Sequence, residues 1–111
     1  MGNDDTVIKM LEYCEKIQAY SKGVDEQQFY ASSMITEASV FCFIQLGELV
    51  TQLDPKYMEK NPQIRWKVIK GFRNKLVHDY EGINMELLWN TIKNDLPDLI
   101  GKLNGLMQGN P

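Results

Sequence analysis

Apolar residues recur every three or four positions through most of the chain, and no stretch alternates with the two-residue period of a half-buried strand. The first apolar stripe, Val7, Met10, Leu11, Cys14 and Ile17, predicts a helix over about Thr6–Lys22. Asp4 or Asp5 is placed to cap it, and Gly23 to end it. After a polar turn comes the longest stripe: Met34, Ile35, Ala38, Phe41, Cys42, Leu46, Leu49, Val50 and Leu53. It predicts one helix over about Phe29–Leu53, stopped by Asp54-Pro55. Val40–Ile44 is apolar nearly all round, which implies burial on two sides, by other helices and by a second subunit.

Lys56–Asn61 reads as a connector with room for one helical turn. Asn61-Pro62 then looks like an N-cap followed by proline at the first helical position, where its missing N–H costs nothing. The third helix is expected from about Pro62 to near His78, burying Ile64, Val68, Ile69, Phe72, Leu76 and Val77, with Gly82 at its exit. Asn84 caps a fourth that buries Leu87, Leu88, Ile92, Leu96, Leu99, Leu103 and Leu106. Pro97 lies inside that pattern and should kink the helix or split it near Asn94-Asp95. The expected fold is all-α: an antiparallel bundle of four to five helices in a single domain over residues 1–111.

Composition narrows the possibilities. The two cysteines, Cys14 and Cys42, sit on apolar helical stripes and read as reduced core thiols. With no CxxC pair and one histidine, a zinc site is not expected, and nothing calls for a cofactor. No stretch approaches the roughly 20 apolar residues of a membrane span. The acidic, polar start is unlike a signal peptide, so the expected location is the cytoplasm, away from membranes. The net charge of −3 argues against broad duplex binding, which needs many phosphate contacts. Charge is uneven, however. Lys60, Arg65, Lys67, Lys70, Arg73 and Lys75 follow one another with no acidic residue among them, and the remaining stretches are net acidic. A local basic patch on an acidic protein suits a small anionic target or an acidic partner.

That patch leads into Arg73-Asn74-Lys75-Leu76-Val77-His78-Asp79-Tyr80, where polar groups interleave with core residues around the only histidine. Histidine titrates near neutrality and can take a proton from a ribose 2′-OH or return one to a leaving oxygen. An arginine fork pairs with phosphate oxygens and stabilises charge building on them. Asn74 can orient either group, and Tyr80 offers a hydroxyl and a ring on which a base can stack. Five residues of helix turn through about 500°, which leaves Arg73 and His78 roughly 140° apart. Either the helix end unwinds to bring them together, or a second copy of the motif meets them across a twofold axis.

The run Arg73-x4-His78-x-Tyr80 resembles the Arg-x4-His-x-Tyr signature of the HepT-like toxins of the HEPN superfamily. Gln45-Leu46-Gly47-Glu48 is similar to that family's Ile-Gly-Glu segment, and Asn61–Trp66 to its Pro-Glu-Ile-Pro-Trp approach, with Arg65 in place of the second proline. Leu88-Trp89 and Asp95-Leu96-Pro97 resemble its closing helix, whereas Ile83-Asn84 departs from its usual Ile-Asp. The resemblance covers roughly Ala38–Leu103 and the first helix.

It implies an all-α homodimer in which two Arg-x4-His motifs meet across the dimer cleft as a metal-independent endoribonuclease site. Arg73 and His78 would be catalytic, with Asn74, Lys70 and Lys75 supporting substrate binding. The resemblance also implies a toxin–antitoxin pair whose antitoxin is a small nucleotidyltransferase, which silences the RNase by attaching AMP to the motif tyrosine, here Tyr80. A non-catalytic helical partner of a nucleotidyltransferase, helping to bind nucleotide or substrate, is the alternative.

Overall fold

The computed structural model describes residues 2–79 and 81–108, and among them there is no strand. Four long helices form the bundle: α1 (Asn3–Ser21), α3 (Ser33–Val50), α5 (Trp66–His78) and a final rod. Two short helices, α2 (Glu26–Ala31) and α4 (Pro55–Lys60), lie in the connections. The rod consists of α6 (Met85–Asn90), a π-helical segment (Thr91–Asp95) and α7 (Leu96–Met107). The expected all-α bundle is therefore present; α4 is the helical turn for which the Lys56–Asn61 connector had room, and α2 is separate from the long second helix.

Helix α3 is central, packing on α1 along one side and on α5 along another, while α7 closes over α1. Met10, Cys14, Ile17, Phe29, Leu46, Leu76, Leu88, Leu96 and Leu103 are almost wholly removed from water between them. By length and composition alone α3 could cross a bilayer, contrary to the expectation from the sequence, but half of it is buried within the bundle. That burial is the environment of a core helix. The core also holds both thiols. Burial first, then Glu15 and Cys42, pushes the Cys14 thiol up to about 12, and burial pushes Cys42 up as well. At pH 8 only roughly 10⁻⁴ of Cys14 would be thiolate, the reactive form. Iodoacetamide should therefore leave the native protein unmodified and label both cysteines in denaturant, as read by intact mass. Fast labelling of the native state would contradict this.

Three boundaries differ from the sequence expectation. Asp4 and Asp5 lie in the first turn of α1 rather than capping it, and Gly2 is the N-cap. The expected long second helix is broken at Ser32, whose extended backbone ends α2 while its Oγ accepts a hydrogen bond from the Ile35 N–H to begin α3. The break lets Phe29 turn into the core, 5.3 Å from the Trp89 ring. Removing this cap by Ser32→Ala should cost about 1 kcal/mol. That corresponds to a melting-temperature drop of very roughly 4–8 °C, and Ser32→Asp should retain most of the stability.

The third boundary is the start of α5, which begins at Trp66, not Pro62. Asn61 ends α4 instead, its Nδ2 donating to the Tyr57 carbonyl at 2.8 Å. Ile64 is buried, and the Trp66 indole donates to the Met58 and Asn61 carbonyls at 3.2 and 3.0 Å. These anchors hold residues 62–65 in a turn, so tertiary packing overrides the Asn-Pro start signal.

Pro97 does perturb its helix, by widening it rather than breaking it. The Leu96 N–H bonds the Thr91 carbonyl, five residues back. Proline lacks an N–H and its ring crowds the carbonyl four residues earlier, here Lys93, so a wider turn just before it relieves the conflict.

Candidate active site

Helix α5 carries the motif. It stays α-helical from Trp66 through His78, so the unwinding that would bring Arg73 and His78 onto one face does not occur. Gly82 exits as expected, its N–H bonding the Asp79 carbonyl at 3.1 Å; a Cβ there would strike the Asp79 carboxylate.

Residues three or four apart share a helix face. Lys70, Asn74 and His78 thus form one row along α5, with Lys75 beside His78. Lys70, Lys75 and His78 are exposed, and Asn74 is partly buried. Arg73 stands a quarter turn away, leaning towards α3. Its Nη1 donates to the Asn74 Oδ1 at 2.6 Å, so the asparagine ties the arginine to the row that ends in His78. Its Nη2 donates to the Glu48 carboxylate on α3, forming an ion pair between the two helices. Arg73 Nε is buried with no hydrogen-bond partner among the described residues. No hydrogen bond joins Arg73 to His78 within the described part of one chain.

The close approach of α3 and α5 depends on Gly47. A Cβ there would collide with Cβ of Arg73 and come within 2.7 Å of its Cγ. The arginine stem lies directly across the glycine, with its head on the next residue, Glu48. Neither role is assigned by local sequence reasoning. The signals available are the resemblance of Gly47-Glu48 to the family's Ile-Gly-Glu segment and a glycine in the middle of a long apolar helix, which costs about 1 kcal/mol against alanine and implies a backbone approached closely from outside.

These two helices also carry exposed apolar side chains. Met34 (79% exposed) and Phe41 (55% exposed) precede Glu48 at seven-residue intervals on α3, and Val77 (46% exposed) follows Arg73 by one turn on α5. Trp66 and Trp89 pack against the body of the protein, with Lys93 Nζ 4.5 Å above the Trp89 ring. A groove lined by Gln18, Lys22, Lys93 and Pro97 lies on the α1–α7 side and includes none of the motif residues. Tyr80 lies outside the described residues.

A family model described as "Ribonuclease HepT-like" matches residues 10–105. The chain is 32% identical over 99 residues to a protein of Caldanaerobacter subterraneus subsp. tengcongensis named as a "putative RNase", covering 89% of this chain and 88% of that one. It is 32% identical over 90 residues to a like-named protein of Methanocaldococcus jannaschii, covering 81% and 74% of the two chains. It is also 26% identical over 105 residues to the "probable ribonuclease HepT" of Thermococcus cleftensis, covering 95% and 96%. No solved structure matches. The match across nearly the whole helical bundle, with the Arg73–His78 helix inside it, places this chain in the HepT-like ribonuclease family.

Proposed function

We propose that the protein is a metal-independent endoribonuclease and the toxin of a toxin–antitoxin pair, acting in the cytoplasm as a homodimer. The observation that carries this reading is the Arg73-x4-His78 motif on α5 of a HepT-like chain, with Asn74 linking the arginine to the histidine's face. His78 takes the proton of a ribose 2′-OH as that oxygen attacks the phosphorus. The P–O5′ bond breaks, the 5′ oxygen leaves with a proton from the partner's His78, and a 2′,3′-cyclic phosphate remains. Arg73 holds the phosphate and stabilises its growing charge. Asn74, Lys70 and Lys75 add donors and positive charge along the same helix.

Homodimerisation supplies what one straight helix lacks, a second motif facing the first. Val77, one turn beyond Arg73, and Phe41, two turns before Glu48, are exposed apolar side chains on which two copies can meet. A nucleotidyltransferase antitoxin would silence the site by transferring AMP to Tyr80. Each added phosphate brings negative charge and bulk two residues beyond His78, where RNA phosphate must enter.

The test is RNA cleavage without added metal by protein whose intact mass shows no adduct on Tyr80, followed by end-group analysis. Cyclic phosphate ends support the reading; a folded, unmodified dimer that cleaves no RNA overturns it. One observation favours a second reading, a non-catalytic partner that helps a nucleotidyltransferase bind nucleotide or substrate. Within one chain Arg73 is already engaged by Glu48 and Asn74 and does not meet His78. That reading requires complex formation with no nuclease activity.

A further inference from the structure

We infer that Glu48 is a positioning residue: its carboxylate, together with the Asn74 amide, fixes the plane of the Arg73 guanidinium in the attitude that receives the scissile phosphate. This rests on the ribonuclease reading and adds to it a residue 25 positions away on another helix.

A free arginine side chain samples many rotamers, and ordering it when substrate arrives takes away from binding. Here the ordering is already done. The stem is wedged over Gly47, Nη1 is held by Asn74 on α5, and Nη2 by Glu48 on α3. Two anchors from two helices define a plane, where one would leave it free to rotate.

Glu48 could instead block the site by neutralising the arginine, but donor arithmetic and exposure favour positioning. A guanidinium has five N–H donors; the two hydrogen bonds leave one free on each Nη, while the Nε–H is buried. A phosphate can therefore be bound without displacing the carboxylate. The pair is also partly solvated, with side chains 28% and 39% exposed, so the carboxylate charge is screened from an incoming anion. Partly exposed ion pairs contribute little stability, so a structural role alone explains the arrangement poorly. Donors fixed before the reaction need no reorganisation during it, and that is the source of their catalytic value.

The test compares Glu48→Ala, Glu48→Gln, Arg73→Ala and the Arg73→Ala/Glu48→Ala double variant in steady-state RNA cleavage, with melting temperatures as a folding control. Loss of an oriented donor lowers kcat by about 10²–10³, and misorienting it should cost less, on the order of 10–100-fold for Glu48→Ala, with KM changed by less than about threefold. Glu48→Gln keeps an acceptor oxygen and should recover most of kcat. The double variant should be no slower than Arg73→Ala, because Glu48 acts through Arg73. An NMR readout needs no activity: the Arg73 Nε–H should be rigid on the nanosecond scale in the wild type and in Glu48→Gln, and mobile in Glu48→Ala.

Unchanged or increased kcat in Glu48→Ala, a double variant slower than Arg73→Ala alone, or an equally rigid Nε–H in Glu48→Ala would each overturn the inference. A wild-type protein that cleaves nothing would fail the ribonuclease reading instead, while the NMR comparison would still decide whether Glu48 fixes Arg73.

Discussion

His78→Ala lowers RNA cleavage by about 10²–10⁴-fold, the usual contribution of a positioned proton-transfer group, and abolishes growth arrest when the gene is expressed. The fold should be almost untouched. The His78 side chain is exposed and makes no hydrogen bond among the described residues, and changes at such positions stay within about 0.5 kcal/mol. Arg73→Ala should remove activity to a similar depth by deleting the phosphate donor. Its stability loss should stay under about 1 kcal/mol, because the Glu48 carboxylate left behind is 39% exposed and can be solvated by water. Arg73→Lys should not rescue. An ammonium can meet the carboxylate but cannot hold Asn74, Glu48 and a phosphate with one planar fork. Combining His78→Ala with Arg73→Ala should cost far less than the product of the two single losses, as for residues that act as a unit. The measurement is initial rate on one RNA substrate, beside thermal melts of each variant. Cleavage and growth arrest retained by both single variants would remove the nuclease reading altogether.

The parts of this site that were legible in the sequence are those that lie together in it. Arg73, Asn74 and His78 fall within one and a half turns of α5, and the basic run before them is visible as a run. The order of the long helices was also legible, because each buries a stripe with a 3.6-residue period, although Val68, Val77 and Leu87, expected within those stripes, are exposed. What escaped depends on contacts between distant segments. Ser32 sits inside an apolar pattern that continues on both sides, so only the turning in of Phe29 shows that the helix stops there. Asn61-Pro62 has the chemistry of a helix start, but Ile64 and Trp66 are pulled into the core before a helix can form. Pro97 announced a disruption, but not whether it would be met by a kink, a split or the π turn that forms. Glu48 on α3 stands out only through the family's Ile-Gly-Glu segment, and its partner appears only once α5 is packed against it.

Gly47→Ala should damage both stability and activity, although it adds only one methyl group and places it on a residue outside the motif. Helical propensity alone predicts the opposite, since alanine is favoured over glycine in a helix interior by about 1 kcal/mol. The new Cβ, however, would overlap Cβ of Arg73 and crowd its Cγ, with the Ile69 carbonyl 3.4 Å away. Arg73 Cβ is fixed to the backbone of α5, so it cannot swing aside as the far end of a long side chain could. The helices must separate locally, and overpacking of this kind typically costs about 1–3 kcal/mol. Set against the propensity gain, the net change should still be destabilising, with a lower melting temperature. The same displacement carries the Arg73 guanidinium away from Glu48 and Asn74. Misplacing a reacting group by about 1 Å can cost on the order of 10²-fold in rate, so cleavage should fall even at temperatures where the variant is fully folded. Gly101→Ala is the control: a Cβ there meets nothing within 4 Å, and its propensity gain should appear as a small stabilisation with unchanged cleavage. A Gly47→Ala protein as stable and active as the wild type would mean that α3 and α5 do not approach through this glycine, and the route from Glu48 to Arg73 would be lost with that contact.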